Sequence, residues 1–266
     1  MYASHVRRSA VSMLDSGLSY SEVCRRTGVN RSTLRTWDRN RSLLEKYRDT
    51  GDCPRCEPVP RPPAPGAAYS YLLGLYLGDG AITPTGDRSR SVWRLRIACS
   101  DCWPGLIREC EAAIAQVLPG HAVGRTGSTG CTEVYGDWKH WPCLFPQAGP
   151  GKKHERPILW EPWQRTLVGK HPEMFVRGLF HSDGCRTDNK VRRQVGGEWK
   201  DYSYPRYQFC NASGDIVALL TEILDLLEIP WKRHVSPRPP RQDKIVVSVS
   251  KRAAVARMDE FVGPKY

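Results

Sequence analysis

The chain has 266 residues, 40% of them hydrophobic, enough for a buried core shared among two or three small domains. Its formal charge of +12 favours a polyanionic partner such as nucleic acid or an anionic membrane surface. No signal peptide is visible, and the longest apolar run, around Leu72 to Leu77, is far shorter than the roughly 20 residues of a membrane span. These features exclude a secreted or membrane-spanning class and lead us to expect a cytoplasmic protein.

Residues 1–50 read as a helix-turn-helix domain. Ser19 and Glu22 form a capping-box pair at the start of one short helix, and Gly28 suits the left-handed position that ends it. Asn30 can cap the next helix, while Val23, Val29, Leu34 and Trp37 fall on a buried seam around the small Cys24. The arrangement resembles the helix-turn-helix of resolvases and transposases. That likeness implies that Arg31, Ser32, Thr33, Arg35 and Thr36 face a DNA major groove.

Residues 51–68 hold six prolines between Pro54 and Pro65 and read as an extended, semi-rigid linker. Cys53 and Cys56 form one CxxC pair, and Cys99 and Cys102 another. Two such knuckles could hold zinc, but their long separation favours free thiols. The ten cysteines show no dense disulfide framework and are read as mostly reduced.

From residue 69 onward the chain reads as two related halves, 69–148 and 171–266, with a basic connecting segment at 149–170. Each half opens with a similar stretch, LLGLYLGDG at 72–80 and VRGLFHSDG at 176–184. Strands follow, with Arg94 and Arg96 on the polar face of one and Arg206 and Gln208 on that of the other. Amphipathic helices at 104–118 and 213–227 come next, then further strands that run into Lys139 and Lys251. The order helix, strands, helix, strands, helix is kept in both.

Gly74 and Gly78, like Gly178 and Ser182, lie four apart and give each opening helix a stripe of minimal side chains. Two such helices can pack closely and bring their C-terminal ends together. There sit Asp79 and Asp183, at the negative pole of each helix dipole, where an acid is disfavoured by about 0.3–1 kcal/mol. A cation with a taste for oxygen, Mg²⁺ or another divalent ion, would resolve that charge.

At these residues the sequence resembles the single-chain, two-motif LAGLIDADG homing endonucleases. The resemblance spans residues 69–266 and implies an α+β fold of two pseudo-symmetric αββαββα subdomains with antiparallel sheets. The motif helices would form the interface of a monomer with internal pseudo-two-fold symmetry. It places catalytic, metal-binding acids at Asp79 and Asp183 and supporting lysines at Lys139 and Lys251. The polar strand faces, with Arg94, Arg96, Arg206 and Gln208, would lie in the grooves of double-stranded DNA. A further polar position corresponds to Ser100 or Asn211, its register open. The sixth motif position carries Leu77 and His181 where the family name has Asp. A helix-turn-helix joined to such halves is similar to actinobacterial LAGLIDADG proteins, some of which are regulators lacking the paired acids. The functions open at this point are a metal-dependent DNA endonuclease, favoured by the retained acids, a non-catalytic DNA-binding regulator, and an intron RNA maturase.

Overall fold

The computed structural model describes residues 4–39, 63–85, 92–237, 239–240 and 242–266. It divides into two compact units, residues 1–62 with 139–150 and residues 63–138 with 151–266. Most of the Pro-rich segment, with Cys53 and Cys56, lies outside the described residues.

In the first unit three helices, α1 (Ser4–Asp15), α2 (Tyr20–Thr27) and α3 (Arg31–Arg39), enclose a small core. Ala10, Val11, Val23, Val29, Leu34 and Trp37 fill it. The Ser19 side chain accepts from the Glu22 amide, and Gly28 ends α2 in the left-handed region with φ 68°. The capping box is only half made, because the Glu22 carboxylate turns to Arg25 and Arg26 instead. Asn30 accepts from the Ser32 amide at 3.1 Å and so caps α3. Arg31, Ser32, Arg35 and Thr36 are exposed on α3, and Thr33 is half-buried.

The second unit is built twice over. The first half runs α4 (Gly66–Asp79), β1 (Gly80–Pro84), β2 (Trp93–Ser100), α5 (Pro104–Val117), β3 (Val123–Ser128) and β4 (Cys131–Trp138). The chain then makes a single helical turn, α6 (Trp141–Leu144), which belongs to the first unit. Next come α7 (Pro162–Lys170) and the second half: α8 (Pro172–Asp183), β5 (Gly184–Val195), β6 (Glu198–Asn211), α9 (Gly214–Leu226), β7 (Lys232–Ser236), β8 (Lys244–Val249) and α10 (Arg252–Phe261). Helix α7 falls inside the segment read as a connector.

Each half forms a four-stranded antiparallel sheet with its strands in the same order, β1-β2-β4-β3 and β5-β6-β8-β7. Period-two alternation turns Leu95 and Ile97, and likewise Tyr207 and Phe209, into the core. Helix α4 is buried on every side from Ala68 to Leu77, as expected of a helix that is apolar all round.

Candidate active site

Helices α4 and α8 meet backbone to backbone. A side chain added at Gly74 would lie 2.7 Å from the Leu179 nitrogen, and one at Gly178 would run into the Tyr71 carbonyl oxygen. At the next crossing a Cβ on Gly78 would strike the Ser182 side chain and stand 3.3 Å from the Asp183 carboxylate. All four small residues expected at the interface therefore lie in it, and the packing sets the two C-terminal ends side by side.

The two acids are not equivalent. Asp79 is reached by water yet hemmed in by protein, and its carboxyl is pushed up to about 6, first by burial and second by repulsion from Asp183. Burial also raises Asp183, but the Asn211 side chain donates to its Oδ2 at 2.7 Å and pulls it back. The hairpin registers fix which residues correspond across the halves. Gly80 faces Ile97 and Gly184 faces Phe209, so the counterpart of Asn211 is Cys99. Ser100 lies one residue further on, exposed, where its hydroxyl accepts from the Cys102 amide.

Two lysines reach the acid pair that sequence reasoning did not select. Lys153 donates to the Tyr76 carbonyl and, at 3.1 Å, to the Gly78 carbonyl at the end of α4. Lys265 donates to the Ser182 carbonyl at 3.1 Å, at the end of α8. Each thus neutralises the negative pole of one motif helix. Burial lowers both ammoniums, Lys153 to about 8, while Asp79 and Asp183 hold them up. Lys153 therefore remains charged at neutral pH. Lys251 is the exposed N-cap of α10 and Lys139 an exposed residue directly after β4. The cations acting most on the acids are Lys153 and Lys265, joined by Lys244 at Asp183. Lys153 sits in a loop and Lys265 in a tail, so no periodic pattern marked either.

The tail after α10 is a strap between the halves. The Tyr266 carbonyl accepts from the Gly105 and Leu106 amides at 2.6 and 3.2 Å, at the N-terminal pole of α5. Its hydroxyl donates to Glu109 at 2.6 Å, and Glu109 is also gripped by Arg177 of α8 at 2.8 Å. His181, at the sixth motif position, joins this lattice. Burial lowers its imidazole to about 4, so the ring is neutral. Its Nε2 lies 2.8 Å from the Val262 carbonyl and must donate there, leaving Nδ1 to accept from the Tyr71 hydroxyl at 2.9 Å. His181 thus has a structural task, bridging Tyr71 and the Val262 carbonyl.

Paired motif helices, acids at their adjoining ends and two sheets of identical order now stand together. The architecture is the one the LAGLIDADG resemblance implied, two halves of like order joined through their opening helices. A family model described as a transposase helix-turn-helix matches residues 2–49. No curated protein matches the chain. Among solved structures, the homing endonuclease I-DmoI in complex with DNA and Mn is 14% identical, with 76% of this chain and 98% of that chain covered and a TM-score of 0.49. The N-terminal LAGLIDADG domain of WhiA is also 14% identical, over 74% of this chain and 83% of that one, with a TM-score of 0.44. Full-length WhiA from Thermatoga maritima is 12% identical, over 75% and 56%, with a TM-score of 0.45.

The donor set fits a hard divalent cation. Two carboxylate side chains converge, and Asp79 is pushed up first by burial and second by Asp183. No group of three or more His, Cys, Asp or Glu side chains suited to a metal occurs among the described residues. An ion held here would complete its shell with phosphate and water oxygens, as Mg²⁺ commonly does. Among those residues no helix is long and apolar enough to cross a membrane.

Proposed function

We propose that the chain is a divalent-metal-dependent, sequence-specific double-strand DNA endonuclease of the homing type. The observation that carries this reading is the convergence of Asp79 and Asp183 at the ends of two backbone-packed helices, close enough for each to act on the other's charge. Bound Mg²⁺ would supply Lewis-acid activation of water and of phosphate oxygens. Asp79 and Asp183 would hold it, Asn211 would fix the plane of the Asp183 carboxylate, and Lys153 and Lys265 would keep the helix ends from repelling the pair. Lys139 and Lys251, both exposed, would polarise the attacking water or stabilise developing charge. Arg94, Arg96, Arg206 and Gln208 would face the DNA from the sheets, and Arg31, Ser32, Thr33, Arg35 and Thr36 from the helix-turn-helix.

The alternative is a DNA-binding regulator, favoured by the two lysines that already offset part of the acid charge. A binding site selected from random DNA and then incubated with protein in Mg²⁺, Mn²⁺ or EDTA separates the two. The nuclease reading expects metal-dependent cleavage that Asp79→Asn and Asp183→Asn each abolish while DNA binding is kept or strengthened. Tight binding without cleavage in either metal would establish the regulator, and cleavage by either variant at the wild-type rate would overturn the metal-ligand assignment.

A further inference from the structure

The outward faces of the two sheets carry different charge. In the first half the alternation that buries Leu95 and Ile97 turns Arg94, Arg96, Glu133, Tyr135 and Asp137 outward. There each arginine stands beside an acid. Arg94 holds Asp137 through Nε and Nη2, both at 2.7 Å, with its guanidinium 4.0 Å above the Tyr135 ring, and Arg96 stands 3.5 Å from Glu133. Two cations meet two acids, so among the described residues these paired strands are balanced in charge; Arg88 and Arg90 lie outside the described residues.

The second half lacks those acids. Val134 faces Ile97 and Val247 faces Phe209, so the positions equivalent to Glu133, Tyr135 and Asp137 are Val246, Ser248 and Ser250. On the strands the same outward face presents Arg193, Lys200, Arg206, Lys232 and Lys244 against one acid, Glu198, among the described residues. The Arg206 Nε, like the Arg96 Nε of the first sheet, is shielded from water and meets no acceptor. What sets the second face apart is its scarcity of acids.

The second hairpin is also much longer. Strand β8 pairs with β6 only from Tyr207 to Asn211, while the β5–β6 ladder continues from Thr187–Arg206 to Val195–Glu198 and closes on Gly196 and Gly197, both at positive φ. Nine residue pairs thus project as a free ribbon of about 30 Å at ~3.3 Å per residue. Its outward side carries Asn189, Arg193, Lys200, Tyr202 and Tyr204, with Tyr204 49% exposed. In the first half the ladder ends at Thr85–Val92, and only residues 86–91 separate its strands.

We propose that the second half, through this ribbon and its unopposed cations, anchors the protein on duplex DNA. The first half contributes little phosphate binding, and the footprint is lopsided about the acid pair. A two-stranded ribbon fits the major groove, and ~30 Å is close to one turn of B-DNA. The inference rests on the DNA-binding reading above but not on cleavage.

The test uses the full chain on a site it selects from random DNA, with affinity measured against salt concentration and hydroxyl-radical footprints taken at saturation. Arg193→Ala with Lys200→Ala should lower the slope of log affinity against log salt by about 1.8, at ~0.9 per lost phosphate contact. Arg94→Ala with Arg96→Ala should lower it by much less. Replacing residues 189–204 by an Asn-Gly turn should shorten the footprint on one flank only, with thermal melting confirming that each variant is folded. An equal loss of slope in the two double variants, or a footprint that keeps both flanks, would overturn the lopsided anchor while leaving DNA binding intact. Failure of the wild-type chain to retain any duplex would overturn both readings.

Discussion

Asp79 gives up its proton near pH 6 in the folded chain, against about 4 for an unhindered aspartate. The folded state therefore binds more protons than the unfolded one between those values. The stability that protonated Asp79 contributes is fully present below about pH 4 and is lost as pH rises through about 6. Denaturation midpoints measured in EDTA should fall across that window, and Asp79→Asn should flatten the fall. Lys153 and Lys265 both lower the Asp79 value, so Lys265→Met should move the window to higher pH. An unmoved window would mean that Lys265 serves only the Ser182 carbonyl. The same charge makes binding of a divalent cation proton-linked. Affinity for Ca²⁺, measured by titration calorimetry, should weaken as pH drops below about 6, and a flat profile would remove Asp79 from the ligand set.

The pair of α4 and α8 depends on the absence of two side chains. Gly178→Val should cost ~1–3 kcal/mol or more, because neither facing backbone can give way. Urea unfolding would read this, and a loss below a few tenths of a kcal/mol would show that the helices can part. The motif helices were legible in the sequence because small residues recur four apart and a repeated Gly-Asp-Gly marks both ends. The strand faces were legible through their alternation. The ribbon was not, since Thr187–Val195 and Tyr202–Arg206 lack a buried side to impress a pattern on them. Nor were Lys153 and Lys265, whose positions follow from a loop and a strap rather than from any period. Asn211 could not be separated from Ser100 until the pairing of Gly184 with Phe209 fixed the register.

At the scale of the whole molecule, two DNA-facing modules are expected to share the work unequally. The helix-turn-helix presents one short helix with few side chains for phosphates or bases. Alone it should bind DNA weakly and with strong salt dependence. The fragment 63–266 should select the same sequence as the full chain, at lower affinity for want of a tethered second contact. If residues 1–50 select a clear sequence and the fragment none, the helix-turn-helix is the reader. The fragment should also melt in a single transition, because the largest share of the cover on α4 comes from α8 and the strap from Gly263 to Tyr266 ties α10 to α5. That dependence has a cost in time. The partner of α4 is complete only 183 − 79 = 104 residues after α4 itself. At ~5–20 residues per second, a nascent chain carries an uncovered greasy helix for roughly 5–20 s on the ribosome. Yield of the chain in a cell should accordingly track its supply of holding chaperones more than the stability of the finished protein.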